Sequence, residues 1–195
     1  MMEKRIEPVN GVVSINWLDV MKLFEYEFFR VSGDMALDVQ NELIARNYAT
    51  VQDQVDDGVG DWSRNDPYEI ADWASVLTPV EFGAWQDIRS AGLPLWPRLP
   101  VGNFVVSFGN PQAKVALQCG DDEDSLRVDH WLKQMGWRVF RATAAQCTRV
   151  MESPADVRER TGEVDDHYRA RYHAETLAGT IQEVRHALIA AGARA

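Results

Sequence analysis

The chain has few cysteines and no long apolar run. Cys119 and Cys147 are its only 2 cysteines, and neither belongs to a CxxC pair. Two cysteines cannot supply a zinc framework by themselves, and so low a content is typical of a reduced cytosolic setting. No segment approaches the length that spans a bilayer, and the N-terminus lacks the apolar region of a secretory signal. The composition therefore predicts a soluble, cytoplasmic protein without a membrane partner.

Positive charge is also scarce. The chain has 20 Lys and Arg against 30 Asp and Glu, for a net charge of −10. Residues 1–77 carry most of the imbalance, with 6 basic against 15 acidic side chains. Nucleic-acid binding usually leaves a basic footprint, because phosphate contacts and counterion release drive affinity. No such footprint dominates the sequence, and the acidic first third fits a protein partner with a basic surface.

Hydrophobic residues make up 46% of the chain, which is ample for a core. The sequence predicts an acidic helical extension over residues 1–77. Apolar residues recur at helical spacing over 15–31, and Asp34 is placed to cap a second helix, so the two form a helical hairpin. The loop at 56–67 is rich in Gly, Asp and Asn and marks a boundary.

Residues 78–150 predict a compact α/β core. Thr78, Pro79 and Glu81 form a capping box with proline at the first helical position. Extended and β-rich runs follow, then a helix, a strand and another helix; they lie at 93–102, 104–109, 114–119, 125–135, 137–141 and from Thr143. This order predicts a mixed sheet with helices on both faces. Residues 151–195 predict a C-terminal helical segment that packs on the core and ends in one long helix.

These phrases, in this order, resemble the PD-(D/E)XK nuclease superfamily, and most closely its very-short-patch-repair type endonuclease-like domains. The resemblance covers roughly 78–150. Its phrases are 78-TPVE-81, 106-VSF-108, 117-LQCGD-121, a helix with Arg127 and Asp129, and 136-GWRVFR-141. The resemblance implies a restriction-endonuclease-like core. It also implies a site in which carboxylates on adjacent strands hold Mg²⁺, which activates water.

The sequence departs from that pattern at the metal-binding positions. Ser107 matches the aspartate of the first strand, Gln118 matches the glutamate of the second, and Gly120 matches a later aspartate. A hydroxyl or an amide binds Mg²⁺ far more weakly than a carboxylate. Glu81 is retained, although its capping box explains it without catalysis. Glu81, Ser107 and Gln118 are therefore predicted to mark a degenerate catalytic site that has no metal cofactor.

Two alternatives stay open at this hairpin. A register one or two residues different brings Asp121 or Asp122 into the ligand position. The run 121-DDED-124 is either a relocated Mg²⁺ site or a solvated acidic turn whose charge suits the next helix.

Basic side chains near the core give a modest candidate for nucleic-acid binding. They are Lys114, early on the second of the two hairpin strands, together with Arg127, Lys133 and Arg141. Ordinary solvated charge is the simpler explanation of these residues.

Three functions follow from this sequence. The first is a catalytically inactive relative of these nucleases that binds nucleic acid or a basic protein. The second is a divergent Mg²⁺-dependent DNA nuclease whose acids lie at 121–124. The third is an acidic protein-binding accessory or inhibitor. The sequence does not indicate an oligomeric state.

Overall fold

A computed structural model of the chain describes residues 28–60, 62, 70–121 and 123–193. The elements alternate through the core as the sequence predicts. The helices are α1 (Leu37–Asp56), α2 (Trp73–Val76), α3 (Pro79–Ser90), α4 (Glu123–Gln134), α5 (Ala144–Thr148), α6 (Pro154–Thr161), α7 (Asp166–Glu175) and α8 (Ala178–Ala190). The strands are β1 (Trp96–Val101), β2 (Phe104–Asn110), β3 (Val115–Cys119) and β4 (Arg138–Ala142).

The strands form one mixed sheet in the order β1-β2-β3-β4. β1 and β3 pair antiparallel with β2, whereas β4 runs parallel to β3 after the crossover through α4. Pro97 and Pro100 lie in β1, an edge strand, where a missing N–H costs no ladder bond on the open side.

Residues 115–118 of β3 are all buried. Because successive side chains of a strand point to opposite faces, both faces of β3 are covered. The predicted α/β class and mixed sheet are confirmed.

Two capping boxes, the predicted one at Thr78 and a second at Thr143, set the N-terminal ends of core helices. Thr78 accepts from the Glu81 amide, and the Glu81 side chain accepts from the Thr78 amide, with Pro79 in the first turn. Thr143 and Gln146 make the same reciprocal pair at the start of α5. These local bonds fix the first residue of α3, which precedes the sheet in the chain, and of α5, which follows it.

The N-terminal hairpin differs from the prediction. Its first half falls mainly in residues 1–27, outside the described residues, and the described part is not helical: Val31 forms a parallel bridge with Ala71. Asp34 does not cap α1, because its carboxylate accepts from the Ser32 hydroxyl and Ala36 occupies the cap position. The prediction of an Asp34 cap is wrong.

A buried asparagine holds this segment in place. The Asn47 side chain on α1 bonds the Phe29 amide at 2.8 Å, the Phe29 carbonyl at 2.7 Å and the Ile70 carbonyl at 2.8 Å. Three bonds satisfy an amide that is fully buried. The Asn47 side chain therefore supplies hydrogen-bond partners to the backbone of both segments that the Val31–Ala71 bridge joins.

An aromatic cluster joins α1 to the sheet. The Trp62 and Trp96 rings meet edge to face with centroids 5.4 Å apart, and Tyr48 lies 6.1 Å from Trp96. The Tyr48 hydroxyl donates to the Pro97 carbonyl. The predicted extension thus packs directly on β1.

The predicted long C-terminal helix is wrong, because the segment forms two helices. α7 ends at Glu175, Thr176 is extended with ψ 175°, and α8 begins at Ala178. The Thr176 hydroxyl donates to the Tyr172 carbonyl, which ends α7 locally. A Cβ at Gly179 would lie 3.2 Å from the His173 carbonyl oxygen, so the start of α8 packs closely on α7. No helix of the described residues is both long and apolar enough to cross a membrane.

Candidate functional site

Ser107 and Gln118 lie side by side on β2 and β3. The Gln118 Oε1 atom accepts from the Ser107 amide at 2.8 Å and from the Ser107 hydroxyl at 3.2 Å. The Ser107 hydroxyl oxygen in turn accepts from the Cys119 amide at 3.1 Å. Gln118 is only 4% exposed. The two side chains at the predicted metal-binding positions therefore bond each other and extend the β2–β3 ladder past its last backbone pairs.

Two arginines flank this pair across the sheet. Arg141 on β4 is the direct parallel partner of Gln118. Arg98 on β1 stands opposite Ser107, since its neighbours on both sides pair in the antiparallel register. One row across the four strands therefore reads Arg98, Ser107, Gln118, Arg141. Its two neutral members lie between two cationic ones.

Glu81 pairs with the first of these arginines. The Arg98 Nη2 atom lies 3.1 Å from Glu81 Oε2, and both side chains are largely buried. The same oxygen accepts from the Thr78 amide at 3.0 Å and from the Thr78 hydroxyl at 2.9 Å. Arg98 has φ +47°, a left-handed conformation that costs a non-glycine residue about 1–3 kcal/mol. Glu81 therefore combines its capping role with a part-buried ion pair at a strained residue.

Asp129 on α4 pairs with the second arginine. Its Oδ2 atom accepts from Arg141 Nε at 3.0 Å and from Arg141 Nη2 at 2.7 Å. Arg141 Nη1 donates to the Gly120 carbonyl at 2.9 Å. Asp129 is 7% exposed, and its Oδ1 atom is buried without a hydrogen-bond partner. The guanidinium thus ties α4, the end of β3 and β4 together.

Asp121, in the acidic loop after β3, caps the N-terminus of α5. Asp121 Oδ2 accepts from the amide of Ala144, the first residue of α5, at 3.1 Å. A carboxylate in this place favours the helix N-terminus. Asp122, the other alternative ligand, lies outside the described residues, as do the side chains of Glu123 and Asp124. Within the described parts of the chain, no group of three or more His, Cys, Asp or Glu is placed to hold a metal ion.

The two thiols meet next to the row. Hydrogen bonding to Cys147 and burial raise the pKa of the Cys119 thiol, while the Glu81 charge raises that pKa further and the Arg141 charge lowers it. A Cβ at Gly83 would lie 2.1 Å from the Cys147 carbonyl oxygen. Only glycine lets α3 approach α5 this closely.

The remaining candidate basic residues are spread over the surface. Lys114 lies in the turn before β3, with φ +50°, not on the strand as predicted; its side chain is exposed. The strand begins one residue later, at Val115, because a left-handed backbone does not continue a strand. Arg127 and Lys133 are exposed on α4. None of these three joins the row that contains Ser107 and Gln118.

The structure brings the predicted site positions Glu81, Ser107 and Gln118 into one region. Arg141, a predicted nucleic-acid-binding residue, lies beside them, and so does Arg98, which the sequence did not indicate. Arg98 gives no signal in the sequence, because it lies between two prolines in an edge strand and its left-handed backbone follows from tertiary contacts.

Comparisons with protein-family models, with curated proteins and with solved structures give no match. The resemblance to the nuclease superfamily therefore stays a prediction from the sequence phrases.

Proposed function

We propose that the chain is a catalytically inactive relative of the PD-(D/E)XK nucleases and acts as a module that binds nucleic acid or protein. The observation that carries this proposal is the pairing of Ser107 with Gln118. Both side chains are neutral and so offer no anionic oxygen to a metal ion, and the Gln118 Oε1 atom already accepts two hydrogen bonds from Ser107. Mg²⁺ loses its hydration shell reluctantly and prefers carboxylate ligands.

The charges around the pair support the same proposal. Arg98 and Arg141 flank it with two positive charges, which repel a divalent cation. The two nearby carboxylates, Glu81 and Asp129, each hold one of these arginines. A metal ion at this row would have to compete with both ion pairs.

A divergent nuclease is the alternative, and it depends on Asp121 and Asp122. Asp121 already accepts from the Ala144 amide, which accounts for its position without a metal. The acidic accessory has more support, because α1 exposes several carboxylates along its length: Asp38, Glu42, Asp53 and Asp56.

Cleavage assays test the proposal directly. Purified protein is incubated with single-stranded, supercoiled and branched DNA in Mg²⁺ or Mn²⁺, and calorimetric titration follows Mn²⁺ binding. We expect no cleavage and no specific Mn²⁺ binding. Robust metal-dependent cutting that disappears in Asp121→Ala or Glu81→Ala would overturn the proposal and favour the nuclease. Glu152→Ala, at an exposed surface pair, is the matched control.

A further inference from the structure

The two cysteines of the chain lie side by side in the fold, although about 28 residues separate them in the sequence. Cys119 is the last residue of β3, and Cys147 lies on α5. Their side chains are hydrogen-bonded to each other, and both are free thiols. The proposed function uses neither sulfur.

Backbone bonds bring these two residues together independently of their side chains. Cys119 is the parallel partner of Ala142, and the Gly120 amide donates to the Ala142 carbonyl at 3.0 Å. The chain then passes from β4 into α5, where the Cys147 amide donates to the Thr143 carbonyl at 3.1 Å. Cys147 therefore lies one helical turn beyond the residue that follows the strand partner of Cys119.

Two further contacts fix the position of α5. Asp121, two residues after Cys119, accepts from the Ala144 amide at 3.1 Å. The helix α3 approaches so closely that a Cβ at Gly83 would lie 2.1 Å from the Cys147 carbonyl oxygen. The loop after β3 and the helix α3 thus both hold Cys147 in its place relative to Cys119.

The thiol pair is shielded, but one of its members is open to solvent. Cys147 is 5% exposed, whereas Cys119 is partly exposed. A molecule as small as hydrogen peroxide can reach the pair at Cys119, while the thiol of another protein cannot reach Cys147. The hydrogen bond from Cys119 lowers the pKa of the Cys147 thiol, although burial raises it. Because the thiolate is the nucleophile, Cys147 is the sulfur that reacts first.

We infer that Cys119 and Cys147 are a redox-modified pair, which a peroxide oxidises to an intramolecular disulfide between β3 and α5. In the first step the Cys147 sulfur attacks one peroxide oxygen and the O–O bond breaks. The departing hydroxide takes up the proton that Cys147 lost and leaves as water, and Cys147 becomes a sulfenic acid.

In the second step the Cys119 sulfur attacks the Cys147 sulfur, and the S–S bond forms as the S–O bond breaks. The hydroxyl group leaves as a second water with the proton of Cys119. The two sulfurs together lose two electrons, and the peroxide gains them. A thiol reductant such as dithiothreitol reverses the reaction by thiol–disulfide exchange.

The disulfide has a mechanical consequence for the core. It closes a loop that contains α4 and β4, about 29 residues in all. Closing such a loop restricts the unfolded chain, so the midpoint of thermal unfolding should rise by roughly 10 °C. The inference concerns the two sulfurs alone and does not depend on the proposed function.

Treatment of the reduced protein with a small excess of hydrogen peroxide tests the inference. The thiols counted after denaturation should fall from 2 per chain to none, and the intact mass should fall by about 2 Da. Trypsin digestion without reductant should release peptides 115–127 and 142–149 as one linked species. The midpoint of thermal unfolding should rise by roughly 10 °C, and dithiothreitol should return each readout to its starting value.

The single variants Cys119→Ser and Cys147→Ser are the matched controls, because serine keeps the shape and the hydrogen-bonding capacity of the side chain. In Cys119→Ser the partner sulfur is missing, so peroxide should leave a sulfenic acid at Cys147 that dimedone traps. Peroxide should raise the unfolding midpoint of neither variant.

Three results would each overturn the inference. The first is a parent protein that keeps both free thiols after peroxide treatment. The second is a disulfide that joins two chains, seen as a covalent dimer on a non-reducing gel. The third is a peroxide-induced rise in the midpoint that is as large in the single variants as in the parent. None of these readouts involves DNA cleavage or metal binding, so the proposed function stands or fails separately.

Discussion

Replacement of Arg141 by methionine tests whether the flanking ion pair holds the site together. The variant keeps most of the apolar side-chain length but removes every donor that reaches Asp129 and the Gly120 carbonyl. Asp129 is 7% exposed, so its carboxylate stays buried without a counter-charge. Removing one partner of a buried ion pair typically costs 3–5 kcal/mol, roughly.

We expect the lower end of that range, about 3 kcal/mol, because the Arg141 side chain is 22% exposed and water can reach part of the vacated space. Urea denaturation measures it. With a slope of about 1–3 kcal/mol/M, the midpoint should fall by roughly 1–3 M. Arg160→Met is the matched control, since its bond to Glu152 has the same 2.7 Å length but lies on the exposed surface. That variant should unfold at the parent midpoint.

The double variant Asp129→Leu with Arg141→Met separates the two explanations of the loss. It leaves no buried charge, so it should recover most of the stability and come within about 1 kcal/mol of the parent. Two results refute this reasoning. One is a loss below about 1 kcal/mol in Arg141→Met, within the range of exposed pairs. The other is a double variant no more stable than Arg141→Met alone.

Three further predictions concern single residues. Thr78→Ala removes the hydroxyl that caps α3 and should lower the free energy of unfolding by about 1 kcal/mol in urea denaturation. Hydrogen bonds from the Ser153 hydroxyl and amide lower the pKa of Asp156 in the folded protein. The Asp156 carboxylate therefore stabilises the fold fully above its unfolded pKa of about 3.9. This stabilisation is lost as pH falls through the lower folded pKa. The denaturation midpoint of Asp156→Asn should therefore lie below that of the parent from about pH 5 to 7, and the two should converge in acid; a constant gap would contradict this. Hydrogen bonding to Cys147 and burial raise the pKa of the Cys119 thiol, so iodoacetamide should label Cys119 only after denaturation, as read by peptide mass spectrometry.

The core order could be predicted because its signals are local. The Thr78 and Thr143 capping boxes and the glycine at 136 each fix a boundary through bonds within a few residues. β-rich runs between such boundaries leave few alternatives for the sheet. The adjacency of Ser107 and Gln118 followed from the same hairpin register.

The errors occurred where tertiary contacts outweigh local preference. The tail contains no proline between Asp166 and Ala190, and its helical periodicity runs through Thr176. The break arises from the packing of α8 against α7, which no short window of sequence records. Likewise Asp34 is a good capping residue by type, but its carboxylate is already engaged by Ser32.

The charge pattern of the row has a consequence for any attempt to introduce a metal site there. If Ser107 and Gln118 were changed to aspartate and glutamate, the new carboxylates would stand beside Arg98 and Arg141. Arginine pairs well with carboxylates because its planar fork matches their geometry. The new acids would then form ion pairs in place of a metal site, and the arginines would have to be replaced as well. The row therefore departs from the metal-binding pattern of the resemblance at its two arginines as well as at Ser107 and Gln118, and each arginine already has a carboxylate partner within the protein.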